Sequence, residues 1–140
     1  MLNDILYVED NLDHAELVLR QLERRGLRER VVHVEDGERA VAYLDRVASG
    51  DSLPPRLVLL DLRLPRVDGM DVLSHVKGSA VLRDIPVVIF TTSTTPHDLK
   101  EAYSRYANSY LVKPDDLTEL NHVLDELSHY WLEMNRRSAG

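Results

Sequence analysis

The stretch Leu57-Val58-Leu59-Leu60-Asp61, continued by Leu62-Arg63-Leu64-Pro65, constrains the fold more than any other part of this chain. Four consecutive apolar residues preceded by Pro54-Pro55 are too short a run for a helix. They read as a strand of a parallel sheet, buried on both faces. The run ends on an aspartate, and Pro65 and Gly69 stop the chain soon afterwards. An ionised carboxylate at the end of a buried strand is costly unless something pairs with it. Taken alone, Asp61 serves equally well as a turn cap, so the rest of the chain decides its meaning.

The same pattern recurs along the chain. Ile5-Leu6-Tyr7-Val8 ends on Glu9-Asp10-Asn11, and Val31-Val32-His33-Val34 runs into a turn at Asp36-Gly37. Ile85 to Phe90 ends on a run of hydroxyls from Thr91 to Thr95, and Ser109 to Val112 ends on Lys113-Pro114. Between these runs, apolar residues return at helical spacing. They are Leu12 to Leu22 closed by Gly26, Ala40 to Val47, Met70 to Val76 closed near Gly78, and Leu99, Ala102, Tyr103 and Tyr106 after Pro96. A last stripe from Leu117 through Leu120, Val123, Leu124, Leu127, Tyr130 and Trp131 to Met134 predicts one long helix over about residues 115–136.

Five strand-then-helix units imply an α/β fold: a five-stranded all-parallel sheet, doubly wound, with right-handed crossovers and helices on both faces. The 140 residues suit a single domain over 1–140, and the Gly50–Pro55 stretch is too short to be a linker. In open sheets of this kind a ligand sits beyond the carboxyl ends of the strands, at the switch in strand order. Glu9, Asp10, Asp61, Thr91 and Lys113 collect at that end.

Composition narrows what such a site serves. The formal charge is -7 and no basic block exceeds two residues, which argues against nucleic acid or an anionic membrane as partner. The absence of cysteine excludes disulfides, thiol catalysis and thiolate metal sites. Met1-Leu2-Asn3-Asp4 lacks the features of a signal peptide, and no apolar run approaches the roughly 20 residues that span a bilayer. A soluble, cytoplasmic protein is expected. The six histidines show no ligand spacing such as H-E-x-x-H and read as surface or core residues.

Three carboxylates brought together repel strongly and ask for a divalent cation; oxygen ligands favour magnesium over zinc. A lysine and a threonine hydroxyl opposite them suit phosphoryl oxygens. Carboxylate nucleophile, metal and lysine together point to phosphoryl transfer onto an aspartate. No Gly-rich phosphate loop is present, so the phosphoryl donor is expected to be another molecule.

At this point the chain resembles a known family, the receiver domains of two-component response regulators. The resemblance is carried by Val8-Glu9-Asp10-Asn11, by Leu60-Asp61-Leu62-Arg63-Leu64-Pro65 with Asp68-Gly69, by Phe90-Thr91-Thr92-Ser93, and by Tyr110-Leu111-Val112-Lys113-Pro114. It implies a flavodoxin-like strand order 2-1-3-4-5. It also implies that Asp61 is the phosphoacceptor, and that Asp10, Asp61 and the backbone carbonyl of Arg63 ligate magnesium directly, with Glu9 acting mostly through water. Thr91 and Lys113 would bind the phosphoryl group, Tyr110 would be the switch aromatic, and the Lys113–Pro114 peptide would be cis. The implied partner is a sensor histidine kinase. Beyond phosphoryl uptake and self-dephosphorylation, the resemblance implies no enzymatic activity. Thr92 stands where a small alanine is more usual and crowds the approach of water to the phosphoryl group.

Within the family the chain is most similar to short stand-alone regulators paired with cyanobacterial and bacterial phytochrome kinases. The features shared with them are Tyr7 to Asn11, the Gly50–Pro55 loop, Thr91-Thr92-Ser93 and Asn108 to Pro114. Two rivals carry less weight. A haloacid-dehalogenase-type phosphatase needs an aspartate where this chain has Arg63, and a pseudo-receiver would not need all the acids, Thr91 and Lys113. The last stripe spans roughly 27 Å at about 1.5 Å per residue, longer than the strands it covers. Tyr130, Trp131 and Met134 should therefore overhang, folding onto their own domain or packing on a second subunit. A homodimer through helix four, strand five and helix five is the expected arrangement.

Overall fold

Each strand of the computed structural model, which describes residues 3–137, sends alternate side chains to opposite faces of one sheet. The strands are β1 (Ile5–Val8), β2 (Val31–Val34), β3 (Leu57–Leu60), β4 (Val87–Thr91) and β5 (Ser109–Val112). All pairs are parallel and the spatial order is β2-β1-β3-β4-β5, as the resemblance implied. Between them run α1 (Leu12–Arg24), α2 (Gly37–Ala48), α3 (Gly69–Lys77), α4 (Pro96–Ser104) and, after β5, α5 (Leu117–His129). Met1, Leu2 and residues 138–140 of the expected 1–140 domain lie outside the described residues, as does part of the signal-peptide reading.

Both faces of the sheet are covered. Leu6, Val8, Val58, Leu60, Val87 and Ile89 pack with α2, α3 and Ala102 of α4. Ile5, Tyr7, Leu57, Leu59, Val88 and Phe90 pack with α1 and α5. The central strands β1 and β3 are buried throughout, which explains their unbroken apolar sequences. Polar residues start the helices. Asn11 accepts a hydrogen bond from the His14 amide, Asp36 from that of Arg39, Thr95 from that of Asp98 and Asp116 from that of Thr118.

Two expectations about the helices require correction. Tyr106 does not lie on α4. It follows the helix at φ 71° and is 75% exposed, while the Ala107 amide reaches back to the Ala102 carbonyl at 3.1 Å. This is a Schellman closure with tyrosine where glycine is usual. The final helix is also not one continuous α-helix over 115–136: α5 ends at His129, and Tyr130–Met134 forms a π-helical turn closed by the Asn135 amide on the Tyr130 carbonyl at 2.6 Å. The wider turn carries Leu132 into the core, and Arg56 donates to its carbonyl at 2.8 Å. Trp131 is half-buried against the core and stacks edge-on with Tyr130, whereas Tyr130 and Met134 stay exposed. The overhang is thus taken up in part within the domain itself.

Candidate functional site

The register of the central strands brings the acids together. Val8 pairs with Leu60, so Glu9 and Asp61 leave the sheet at the same level, and the Asp61 amide still donates to the Val8 carbonyl at 3.1 Å. β1 and β3 flank the point where the strand order reverses, the expected ligand position. Carboxylate oxygens of Glu9, Asp10 and Asp61 lie within 4.8 Å of one another. Glu9 and Asp61 are buried and Asp10 is exposed, so the cluster opens to solvent on the Asp10 side. Gly69, the first residue of α3, fixes the far side of the loop after β3. Its amide donates to the Leu62 carbonyl at 3.0 Å, and a Cβ there would collide with the Asp61 carbonyl oxygen.

Lys113 enters from the end of β5, where its amide donates to the Thr91 carbonyl at 2.7 Å. Its Nζ donates to Asp61 Oδ2 at 2.8 Å and sits 2.5 Å from Glu9 Oε1 as a charge contact. Burial pushes the Glu9 carboxyl up to about 7, against the pull of Lys113 and with the repulsion of Asp61. Burial disfavours the Lys113 charge, but its bonds to Asp61 and Glu9 outweigh that and hold it above the ordinary lysine range. Three carboxylates against one ammonium leave the pocket short of positive charge, and its donors are oxygens. Both properties fit a hard divalent cation.

The chain matches the family model described as response regulator receiver domain over residues 5–125. The chain belongs to the response regulator receiver family. It is 50% identical over 132 residues to the probable methanogenesis regulatory protein FilR2 of Methanothrix harundinacea, covering 94% of this chain and 85% of that one. It is 35% identical to response regulator Rcp1 of Synechocystis over 92% of this chain and 88% of that one. Among solved structures, the phosphorylated cyanobacterial phytochrome response regulator RcpA superposes with a TM-score of 0.89 at 32% identity, covering 99% of this chain and 100% of that one. The Mn(2+)-bound form of Rcp1 superposes at 0.84 with 33% identity, over 98% and 99% of the two chains. This receiver is therefore a two-component signalling domain similar to phytochrome response regulators. Its acidic pocket corresponds to the family's divalent-metal site, and its partner class is a histidine kinase.

The other residues singled out in the sequence lie around this receiver's pocket or far from it. Thr91 is buried at the end of β4, and its Oγ1 accepts from the Ser93 amide at 3.3 Å. Tyr110 is half-buried and donates its hydroxyl to the Ser93 carbonyl at 3.0 Å. The Arg63 amide lies 3.4 Å from Asp61 Oδ1. Thr92 is exposed and lines a cavity of about 330 Å³ with Lys113, His14 and Pro114. The Lys113–Pro114 peptide is trans, against the expectation of a cis bond. Trans is the intrinsically favoured isomer of an X–Pro bond, and from it Lys113 already reaches both acids. Tyr130 and Trp131 line a separate groove of about 490 Å³ with Asn108 and Ser109, at the start of β5, so they sit at the end of the sheet away from the acids.

Sequence reasoning passed over three participants. Tyr7 lies beneath the acids; burial, then Glu9 and Asp61, raise its hydroxyl far above the ordinary tyrosine range. The His14 imidazole is pushed down to about 4 by burial, with the charge of Lys113 adding to the effect. Asp98 in the first turn of α4 is buried and bonded to Arg63 and Ser93. Only the last had a sequence signal, the Thr95-x-x-Asp98 spacing of a helix start.

Proposed function

We propose that this receiver accepts a phosphoryl group from a histidine kinase onto Asp61. The observation that carries the proposal is the Asp61 carboxylate held by Lys113 at 2.8 Å and within 4.8 Å of Glu9 and Asp10. An Asp61 oxygen attacks phosphorus, an O–P bond forms and the donor N–P bond breaks, with the imidazole leaving as the neutral ring after taking up a proton. Glu9, Asp10, Asp61 and the Arg63 carbonyl would hold magnesium, which would supply the charge neutralisation that lets anions approach. Lys113 pairs with the incoming phosphoryl oxygens, and Thr91 donates its hydroxyl to them. Water later attacks phosphorus and releases phosphate, regenerating the carboxylate, and Thr92 narrows that approach.

Phosphorylation then biases a two-state arrangement of Thr91, Tyr110 and the α4 face. The similarity to Rcp1 and RcpA supports a phytochrome as the kinase, in the cytoplasm. The exposed Leu99, Tyr103 and Val112 support a homodimer through α4, β5 and α5, with Tyr130 and Met134 at its margin. Intact mass after incubation with magnesium and phosphoramidate tests the chemistry. One added phosphoryl group in wild type and none in Asp61→Asn is the expected result; no adduct in wild type would refute the proposal.

A further inference from the structure

Helix α4 is fastened to the rest of the molecule by polar groups at both ends. Among its residues only Ala102 and Asp98 are buried, while Leu99 and Tyr103 face solvent. At its C-terminal end, Arg105 donates to the Met70 carbonyl and to Ser74 Oγ, each at 3.1 Å, tying α4 to α3. At its N-terminal end, Asp98 Oδ2 accepts from Arg63 Nη2 at 2.6 Å and from Ser93 Oγ at 2.5 Å. The Ser93 hydroxyl, and after it the Arg63 charge, hold the Asp98 carboxyl below the usual carboxylate range.

These bonds join into one circuit around the pocket. Arg63 stands two residues after Asp61, and its amide lies against Asp61 Oδ1. Its side chain reaches Asp98, and Asp98 holds Ser93. Ser93 in turn gives its amide to Thr91 Oγ1 and takes the Tyr110 hydroxyl on its carbonyl. Both residues expected to switch therefore meet at Ser93, and among the described residues Ser93 is hydrogen-bonded to the loop after Asp61 through a carboxylate on α4. Asp98 is 35 residues from Arg63 in sequence, so this is a tertiary clamp and not local capping.

We propose that Asp98 is a positioning residue which, through Arg63 and Ser93, clamps α4 and the β4–α4 loop to the phosphoacceptor loop, and whose release couples phosphorylation to α4. The coupling rests on Asp61 phosphorylation; the clamp itself does not. A change in the loop after Asp61, or the capture of Thr91 Oγ1 by a phosphoryl group, pulls on opposite ends of the circuit, and the Arg63–Asp98 and Ser93–Asp98 bonds are its shared links. The exposed side of Arg63 makes this link the one that water can replace at least cost.

The test compares the wild-type chain with Asp98→Asn, Arg63→Met and the double variant. Hydrogen exchange of residues 96–104 is followed at rest and after magnesium and phosphoramidate, with intact mass reporting the adduct. In the resting state each single variant should speed exchange in α4 by up to about fivefold, and the double variant should add little, because both remove one shared link. Phosphorylation should speed α4 exchange in wild type and add much less in the variants. Arg63→Lys, which keeps the charge, should recover part of the wild-type pattern, a rescue that a merely structural loss would not show. Ser93→Ala removes only the hydroxyl and should repeat the effect if Asp98→Asn folds poorly. Unchanged resting exchange in α4, additive single effects, or a full phosphorylation increment in the variants would overturn the clamp. Failure of wild type to take up phosphoryl would refute the Asp61 reading, leaving the resting-state comparison to decide the clamp alone.

Discussion

Helices α5 and α4 both cover the β4–β5 half of this molecule, yet they are attached by different physics. α5 buries Leu120, Leu124 and Leu127, and the π turn after it adds Leu132. Each such side chain contributes about 1.5–3 kcal/mol on burial. α4 buries one apolar side chain, Ala102, and relies on Asp98 and Arg105. Partly exposed pairs of this kind contribute about 0–1 kcal/mol each. An element held by apolar burial moves only with the core, whereas one held by a few directional bonds can be released by rearranging them. Thr91, whose carbonyl accepts from the Lys113 amide beside the pocket, and Tyr110 both bond to Ser93, the residue that Asp98 holds.

The largest expected effect breaks the better-anchored side. Leu124→Ala should lower stability by about 2–5 kcal/mol in urea denaturation, because Leu124 is fully buried and leaves a cavity. At concentrations low enough to keep the chain monomeric, Leu99→Ala, on the exposed face of α4, should cost less than about 0.5 kcal/mol. A Leu99 effect as large as that of Leu124 would show that the α4 face is covered. Lys113→Met comes next. It leaves Glu9 and Asp61 facing each other without a partner, so metal-free stability should fall by about 1–3 kcal/mol, and phosphoryl uptake should slow sharply in the mass assay.

A smaller effect is the pH dependence set by Glu9. In the metal-free protein its folded value of about 7 lies above the ordinary 4.5, so the folded state holds the proton more tightly. The stability this group contributes is present below its ordinary value and is lost as pH rises through about 7. Glu9→Gln removes the titration, so the variant should gain on wild type as the pH of metal-free denaturation is raised from about 4 to about 8. Magnesium should reverse that ranking at the higher pH, because the carboxylate then has a counter-ion. The smallest effect is expected of Arg105→Ala, which should loosen the C-terminal end of α4 in hydrogen exchange with under about 1 kcal/mol of global cost.

The two halves were unequally legible in the sequence. Strands β1 and β3 were readable because burial on both faces demands unbroken apolar runs, and the acids that end them stand out against those runs. Parallel pairing of Val8 with Leu60 then leaves Glu9 and Asp61 little choice of position. What was not readable depends on tertiary fit. The π turn at Tyr130 accompanies the burial of Leu132, and Tyr106 adopts positive φ because Ala107 closes back on Ala102. Neither has a local sequence mark. The Lys113–Pro114 isomer leaves no mark in spacing or periodicity. The Arg63–Asp98 bond joins residues whose separate patterns, a loop arginine and a helix-start carboxylate, each have an ordinary surface explanation.

The most direct measurement is hydrogen exchange of the wild-type protein, comparing α4 with α5 before and after magnesium and phosphoramidate, in samples whose mass shows one phosphoryl group. Faster exchange in residues 96–104 than in 117–129 at rest, widening on phosphorylation while α5 stays unchanged, is the result expected of a polar-fastened α4 on a fixed core. Equal protection of the two helices, or an α4 that does not respond in a fully phosphorylated sample, would contradict it.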